Sequence, residues 1–385
     1  EEEEEGEEDE VEDRKVATAY VESSGIQSQS YRCSVGSLQQ ILGTDDLAFT
    51  VGVCAGPITV CSLCAVSRAI GLVASRVLAC VVDSCPRSIF VCGGVVDMRD
   101  GRTVTNSVEC YDQDSNVWIA QPPMLEKRQS AAAAVVGGKL YVCGGVKKSD
   151  QRQTYLASVE RFDPLKGSWE LMPPMSEARS MVCASAMGGR LYICGGTCRS
   201  RVLSYVETLD TSCLLWEMLP CHMTRERARG MAGCMCGTLY ICGGFTENRA
   251  ATNSVDLLDP VSGTCAAAPS MLSARSGAGA AVVAGKMFIC GGWKKKDCNR
   301  IVDSGEFFDP RLGFWQRIPS IVTVRRGFVA AVASLGKIFI IGGEKGDDGE
   351  TSNTVERFSP TTGSSVILAP MSERRADCVA GALFW

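Results

Sequence analysis

Histidine is almost absent from this chain of 385 residues: His222 is its only one. Metal sites built on several imidazoles are thereby excluded, and a Ser-His-Asp triad would have to use His222 itself. That residue lies in Pro220-Cys221-His222-Met223, which reads as the end of a strand, so a turn histidine is expected and catalysis is not. Aromatic residues are few, at 7%, and no G-x-x-x-x-G-K-[ST] phosphate loop occurs. Lys and Arg are missing from residues 1–13, which hold nine Glu and two Asp. Such a run cannot bury apolar surface, so residues 1–15 are expected to be an acidic disordered tail. The formal charge of −5 therefore hides a body with six more basic than acidic side chains. That excess is modest, and the basic residues lack interleaved stacking aromatics, which argues against a nucleic-acid surface.

Cysteine, by contrast, is plentiful at 21, and Gly reaches 40. Five cysteines hold one place in a repeated phrase described below, where a small buried hydrophobe is wanted, so they read as core and not as a disulfide framework. With no signal peptide at its start, the chain reads as reduced and cytoplasmic, and a first residue other than Met reads as a fragment or processed chain. Residues 16–87 form a Cys-rich apolar segment of unassigned fold. Within it, Leu47–Ser67 is uncharged for 21 residues, long enough for a membrane span, but Gly52, Gly56 and Pro57 favour a peripheral segment. Cys61 and Cys64, followed by Cys80 and Cys85, approach zinc-ligand spacing. The second pair is C-x4-C, and the apolar stretch between lacks turn residues, so scattered core cysteines are expected and no metal or other cofactor.

The phrase itself occurs six times: Phe90–Gly94, Tyr141–Gly145, Tyr192–Gly196, Tyr240–Gly244, Phe288–Gly292 and Phe339–Gly343, each a strand-like run closed by Gly-Gly. Successive Gly pairs are 51, 51, 48, 48 and 51 residues apart. A period of about 40 to 50 residues is that of a propeller blade. Sixteen residues before the pair stands an Arg, at Arg128, Arg179, Arg227, Arg275 and Arg326, and Arg375 opens a seventh, truncated unit. A Val-Glu or Val-Asp pair follows the double glycine, as at Val159-Glu160. Trp118, Trp169, Trp216 and Trp315 fill a packing position that Cys265 and Ser365 take in the fourth and sixth units, whose packing is expected to be looser. Each unit reads as four strands. The first unit lacks its small-residue strand and the last has one to spare, so Asp377–Trp385 is expected to pair beside Ile89–Cys92 and close the ring, with Val77–Val82 as competitor.

These motifs resemble those of Kelch-repeat β-propellers: the double glycine, the Trp about two dozen residues later, and the Arg after Pro-Met. The resemblance covers roughly residues 88–385 and implies an all-β, six-bladed propeller. The propellers most similar are those of Kelch-like substrate adaptors of ubiquitin ligases. In these, residues after the double glycine and around an Arg-Ser corner hold short, often acidic peptides. The positions here are Val95, Val146, Thr197, Phe245, Trp293 and Glu344, with Arg179-Ser180 and Arg275-Ser276 keeping the pair. Gln129, Ala228, Gly327 and Ala376 depart from it, and no BTB domain or F-box is visible, so no member's peptide specificity carries over.

Function is therefore expected from a partner-binding face. Its candidate residues are Arg128, Arg179, Arg227, Arg229, Arg275, Arg326 and Arg375 around the propeller axis, with Phe245 and Trp293 as aromatic anchors. Guanidinium forks suit carboxylates of an acidic protein or peptide; equally, each Arg can pair with a Glu or a backbone carbonyl within its own propeller. Lys147-Lys148, Arg199, Arg201, Arg249, Lys294–Lys296 and Arg300 make most loops after the Gly pairs basic. The leading reading is a non-enzymatic protein-interaction scaffold, with ligase adaptor as its specific form. The rival is a propeller enzyme such as a sugar mutarotase, for which an acid/base pair in the channel, for example a glutamate facing Arg227 or Arg229, would speak.

Overall fold

The computed structural model describes residues 16–18, 32–34, 87–98, 101–149, 152–293, 304–319, 330–345 and 350–384. The chain divides into two units, Glu1–Asp83 and Ser84–Trp385. In the first, Val16–Thr18 pairs antiparallel with Arg32–Ser34. The acidic run 1–13, Leu47–Ser67, the four spaced cysteines and Val77–Val82 lie outside the described residues. Among those described there is no helix, and hence none long and apolar enough to cross a membrane.

In the second unit each repeat becomes one antiparallel four-stranded sheet, or blade, and six such sheets occur among the described residues. Blade 3 shows why. Its innermost strand, Cys183–Met187, is made of small residues plus one Met, and Gly188-Gly189 returns the chain at φ +57° and +73°, the mirror-image turn that suits a hairpin. The next strand, Arg190–Cys194, is covered on both faces by neighbouring blades, which its unbroken run Leu191-Tyr192-Ile193-Cys194 allows: all four are buried. Tyr205–Asp210 and Leu215–His222 complete the blade, the last alternating in exposure at the rim.

Innermost strands touch in sequence from blade 2, Ala132–Val136, through blades 3, 4, 5 and 6. The ring is completed by Val379–Phe384, which packs against the innermost strands of both blade 6 and blade 2. It pairs with Arg87–Cys92 in the register Cys92↔Val379 to Arg87↔Phe384, so the C-terminal strand takes the place expected of it in blade 1. The innermost positions must be small because the strands converge there. A Cβ on Gly233 would come within 2.8 Å of Val282, and one on Gly381 within 2.5 Å of Leu140.

Adjacent blades are also tied at the rim. The indole N–H groups of Trp118, Trp169, Trp216 and Trp315 each donate to a carbonyl in the preceding inter-blade link, that of Ala369, Pro122, Pro173 and Pro269, all at 2.9 Å. Cys265 and Ser365 hold the same register in blades 4 and 6 and supply no such donor; the Ser365 hydroxyl is buried without a partner.

The glycines of the phrase and those of the hairpin turn are needed for different reasons. In blade 3 both have positive φ, and a Cβ on Gly196 would lie 2.5 Å from Val182 Cγ1 and 2.7 Å from the Ser180 carbonyl. Gly189, in the hairpin turn, has φ +73° but open space around it. Gly196→Ala is therefore expected to prevent assembly of blade 3. Gly189→Ala should cost only about 1 to 2 kcal/mol, the left-handed penalty of a residue with Cβ. Denaturant unfolding of the two variants checks this, and equal losses would contradict it.

Candidate functional site

The repeated arginines lie at the corner where the chain enters each innermost strand, and all five described are buried: Arg128, Arg179, Arg227, Arg275 and Arg375 are at most 1% exposed. Each reaches across its own blade to a carboxylate on the third strand, that of the Val-Glu or Val-Asp pair in four blades and of Gly305-Glu306 in blade 5. Arg128 meets Glu160 at 2.5 Å, Arg275 meets Glu306 at 2.7 Å and Arg375 meets Glu109 at 2.6 Å; Arg179 pairs with Glu207 and Arg227 with Asp256. The other guanidinium nitrogen donates to the carbonyl of the first glycine, 2.8 Å away at Gly144 and 2.9 Å at Gly243 and Gly291. The carboxylates are satisfied from the backbone as well: Glu160 accepts from the N–H groups of Leu125 and Glu126, and Glu306 from that of Leu272. Burial draws the Arg275 pKa down, and the Glu306 charge opposes that shift.

This arrangement corrects one of the two roles open for the arginine ring. Arg128, Arg179, Arg227, Arg275 and Arg375 are internal struts, desolvated and committed to their own blades, and do not offer forks to a ligand. Arg326 lies outside the described residues.

The corner also couples neighbouring blades. The second glycine of one blade donates its N–H to the Arg carbonyl of the next, as Gly94 to Arg128 and Gly145 to Arg179, both at 2.9 Å. The residue after each Arg then pairs as a β-bridge with the residue after its own Gly pair: Gln129↔Val146, Ser180↔Thr197, Ala228↔Phe245, Ser276↔Trp293 and, through a short strand, Ala376↔Val95. The structure thus brings together the corner and post-glycine positions singled out in the sequence. Val95, Val146, Thr197 and Glu344 are nonetheless buried, while Phe245 and Trp293 are half-buried. From these bridges, hairpins rise at Val95–Val104, Val146–Tyr155, Thr197–Val202 and Glu344–Thr351.

Sequence reasoning missed the carboxylates two residues before the Arg in three blades. Glu126 pairs with Lys147 at 2.8 Å, Glu177 with Arg201 at 3.9 Å, and Glu373 accepts from Ser107 at 2.7 Å. Arg374 pairs with Glu350. The face is consequently less basic than its loops imply, although Lys148, Arg199 and Arg249 remain exposed. Lys294–Lys296 and Arg300 lie outside the described residues.

Two residues after each Arg, a second ring surrounds the axis. Ser130, Met181, Arg229 and Asp377 have φ of 53° to 56°, and Gly277 has 60°. Non-glycine residues keep this conformation only where surroundings compel it. Here the reason is a chain of inter-blade bonds: Ser130 N–H donates to Asp377 O at 3.2 Å, Met181 to Ser130 at 2.8 Å, Arg229 to Met181 at 2.7 Å and Gly277 to Arg229 at 2.9 Å. The ring opens onto an axial channel of about 170 Å³, otherwise walled chiefly by Ala, Gly, Val and Met. Arg229 from blade 4 and Asp377 from blade 1 stand on opposite sides of it, Nη2 to Oδ2 4.0 Å. Ser130 Oγ donates to the same Asp377 oxygen at 3.1 Å. A carboxylate does face Arg229, though an Asp from the far end of the sequence.

The phrase cysteines Cys92, Cys143, Cys194, Cys242 and Cys290 are buried free thiols. Burial pushes Cys143 and Cys290 up to about 12, the direction that makes a thiol inert. His222 is exposed at the strand end, its Nδ1 3.3 Å from Ser204 Oγ.

Compared with known proteins, residues 181–374 match the model of the KLHDC2/KLHL20/DRC7 Kelch-repeats domain, and 76–125 and 127–176 match the Kelch motif. Kelch-like protein 33 of Homo sapiens is 37% identical over 98 residues, 26% of this chain and 18% of that protein. Kelch-like protein 9 of Mus musculus is 34% identical over 116 residues, 30% of this chain and 18% of its own length. The matches thus span less than a fifth of these relatives. The solved structure of YjhT aligns with a TM-score of 0.60 at 14% identity, over 73% of this chain and 97% of its own, a likeness of fold.

If the arginines are struts, Arg179→Ala should destabilise the propeller by about 3 to 5 kcal/mol, because Glu207 is left buried without its counter-charge. Arg179→Lys should recover only part, since one ammonium cannot serve the carboxylate and the Gly195 carbonyl with fork geometry. Chemical denaturation measures both; an unchanged midpoint for Arg179→Ala would refute the strut role.

Proposed function

The chain belongs to the Kelch-repeat family, and on that premise we propose that its propeller is a non-enzymatic protein-interaction scaffold. The bound partner sits on the face that carries the corner bridges and their hairpins. The observation that carries the reading is the division of labour within each repeat. The constant Arg, carboxylate and glycines are buried in mutual contacts, whereas hairpins of differing sequence are presented beside them on a rigid frame. Phe245 and Trp293, half-buried at equivalent positions of neighbouring blades, supply the anchors, with Arg249 exposed in the loop after Phe245 for an acidic group. A ligase-adaptor role is the specific form of this proposal. It draws on the resemblance to Kelch-like adaptors and requires association with a ubiquitin-ligase component.

One observation favours the enzyme alternative, a sugar mutarotase: Asp377 facing Arg229 in the axial channel, a carboxylate able to move a proton.

Affinity capture with the 385-residue chain tests the scaffold. Proteins retained by the wild type should be lost with Phe245→Ala/Trp293→Ala and kept with Leu165→Ser, a change at an exposed turn remote from the corners. Equal retention by both variants would reject this face. Retention of nothing, together with turnover of a free sugar that Asp377→Asn abolishes, would favour the enzyme.

A further inference from the structure

We propose that Cys183 and Cys194 of blade 3 form a dithiol site that a hydroperoxide, entering by the axial channel, oxidises to a disulfide. The inference is independent of the partner face and of any turnover. It starts from register. Cys183 on the innermost strand stands directly opposite Cys194 on the next strand. Opposed residues of antiparallel strands have Cα atoms about 4.5 to 5.5 Å apart, and a disulfide spans about 4.4 to 6.8 Å, so the bond needs no backbone movement. Both thiols are free, and Cys183 Sγ lies 3.6 Å from the Cys194 carbonyl oxygen. Among the described residues no other blade has this pair: the phrase position is faced by Val379, Ala132, Met231, Gly279 and Ala330. The neighbouring thiol Cys242 of blade 4 directs its sulfur to blade 5, 3.6 Å from Met287 Sδ.

Access and reactivity come from the surroundings. Cys183 is 5% exposed, and Cys194 is fully buried. Val182 and Ala184, on either side of Cys183, line the axial channel, and so does Gly230 of blade 4. A Cβ on Gly230 would lie 3.5 Å from Cys183 Sγ, so at this point no side chain stands between the sulfur and the channel wall. The Cys194 hydrogen bond and the charges of Arg227 and Arg179 draw the Cys183 pKa down against the effect of burial. The same bond, with burial, pushes Cys194 up. Cys183 is therefore the attacking sulfur and Cys194 the resolving one. The Cys183 thiolate displaces hydroxide from hydrogen peroxide, breaking the O–O bond and leaving a sulfenic acid. That hydroxide takes the Cys194 proton as water, and the Cys194 thiolate attacks the sulfenic sulfur. The S–S bond forms, the S–O bond breaks, and the second hydroxide takes up the proton that Cys183 first released. The two thiols thus give two electrons to one peroxide, which becomes two waters.

Hydrogen peroxide added to the folded, reduced 385-residue chain, followed by alkylation, trypsin and mass spectrometry without reduction, tests this. Trypsin cuts after Arg179, Arg190 and Arg199, so the bond joins peptides 180–190 and 191–199. That linked pair should appear, with fragmentation placing the bond at Cys194 and not at Cys198, and should vanish with dithiothreitol. Cys194→Ser should remove the link and leave Cys183 as a sulfenic acid that dimedone captures. Gly230→Ala, whose Cβ meets nothing closer than 3.4 Å, should slow linking severalfold while exposed Cys213 is oxidised at its former rate. Absence of the link once Cys213 is oxidised, or a link from Cys183 to Cys198 or Cys242 in place of Cys194, would overturn the proposal. Linking at an unchanged rate in Gly230→Ala would overturn the channel route. Should a variant fail to fold, the linked-peptide map of the unaltered chain decides.

Discussion

A buried guanidinium–carboxylate pair, seen in each of the five blades whose corner arginine is described, is the contact on which the rest of this propeller depends. Removing two charges from water is costly, and the cost is offset where the pair gains further hydrogen bonds. Here the Arg also holds the first-glycine carbonyl, and the carboxylate also holds backbone N–H groups of the entering loop. That fixes the corner in space. Once it is fixed, the Arg carbonyl is at hand for the second glycine of the preceding blade. The next residue meets the post-glycine position, and the one after joins the axial ring. One ion pair thereby sets the blade-to-blade angle, the face and the channel mouth.

Function follows from what that contact leaves over. Groups that recur in every repeat are consumed by architecture, so they cannot distinguish one partner from another. On the proposed scaffold reading, specificity falls to the positions that differ: Phe245 against Val146 or Thr197 after the glycines, Arg229 against Ser130, Met181 and Asp377 in the ring. Glu126 and Glu177 further reshape the face by pairing with loop cations that would otherwise dominate it.

Most of the fold was legible in the chain. Gly-Gly needs no Cβ, the four-residue apolar runs need cover on both faces, and a strand missing at one end and spare at the other must meet. Those are local or counting constraints, and the observed register of Val379–Phe384 follows from them. The cysteines were legible for the same reason, since a recurring place in a buried strand describes packing. The site was less so. The arginines were visible, but whether a guanidinium faces solvent or a carboxylate about thirty residues on depends on how strands cross a blade. The Val-Glu repeat was the signal that could have settled it: a carboxylate as periodic as the arginine is its natural counter-charge.

Sequence by itself determined the repeat, the number of strands in it and the closure, because each is written in neighbouring residues or in their period. Only the tertiary structure decided that the arginines are buried and that Glu126 and Glu177 neutralise loop cations. It alone set Asp377 against Arg229, 148 residues away in sequence and 4.0 Å in space. Opposite blades of a ring share no local signal. Their side chains meet because the last strand closes the circle.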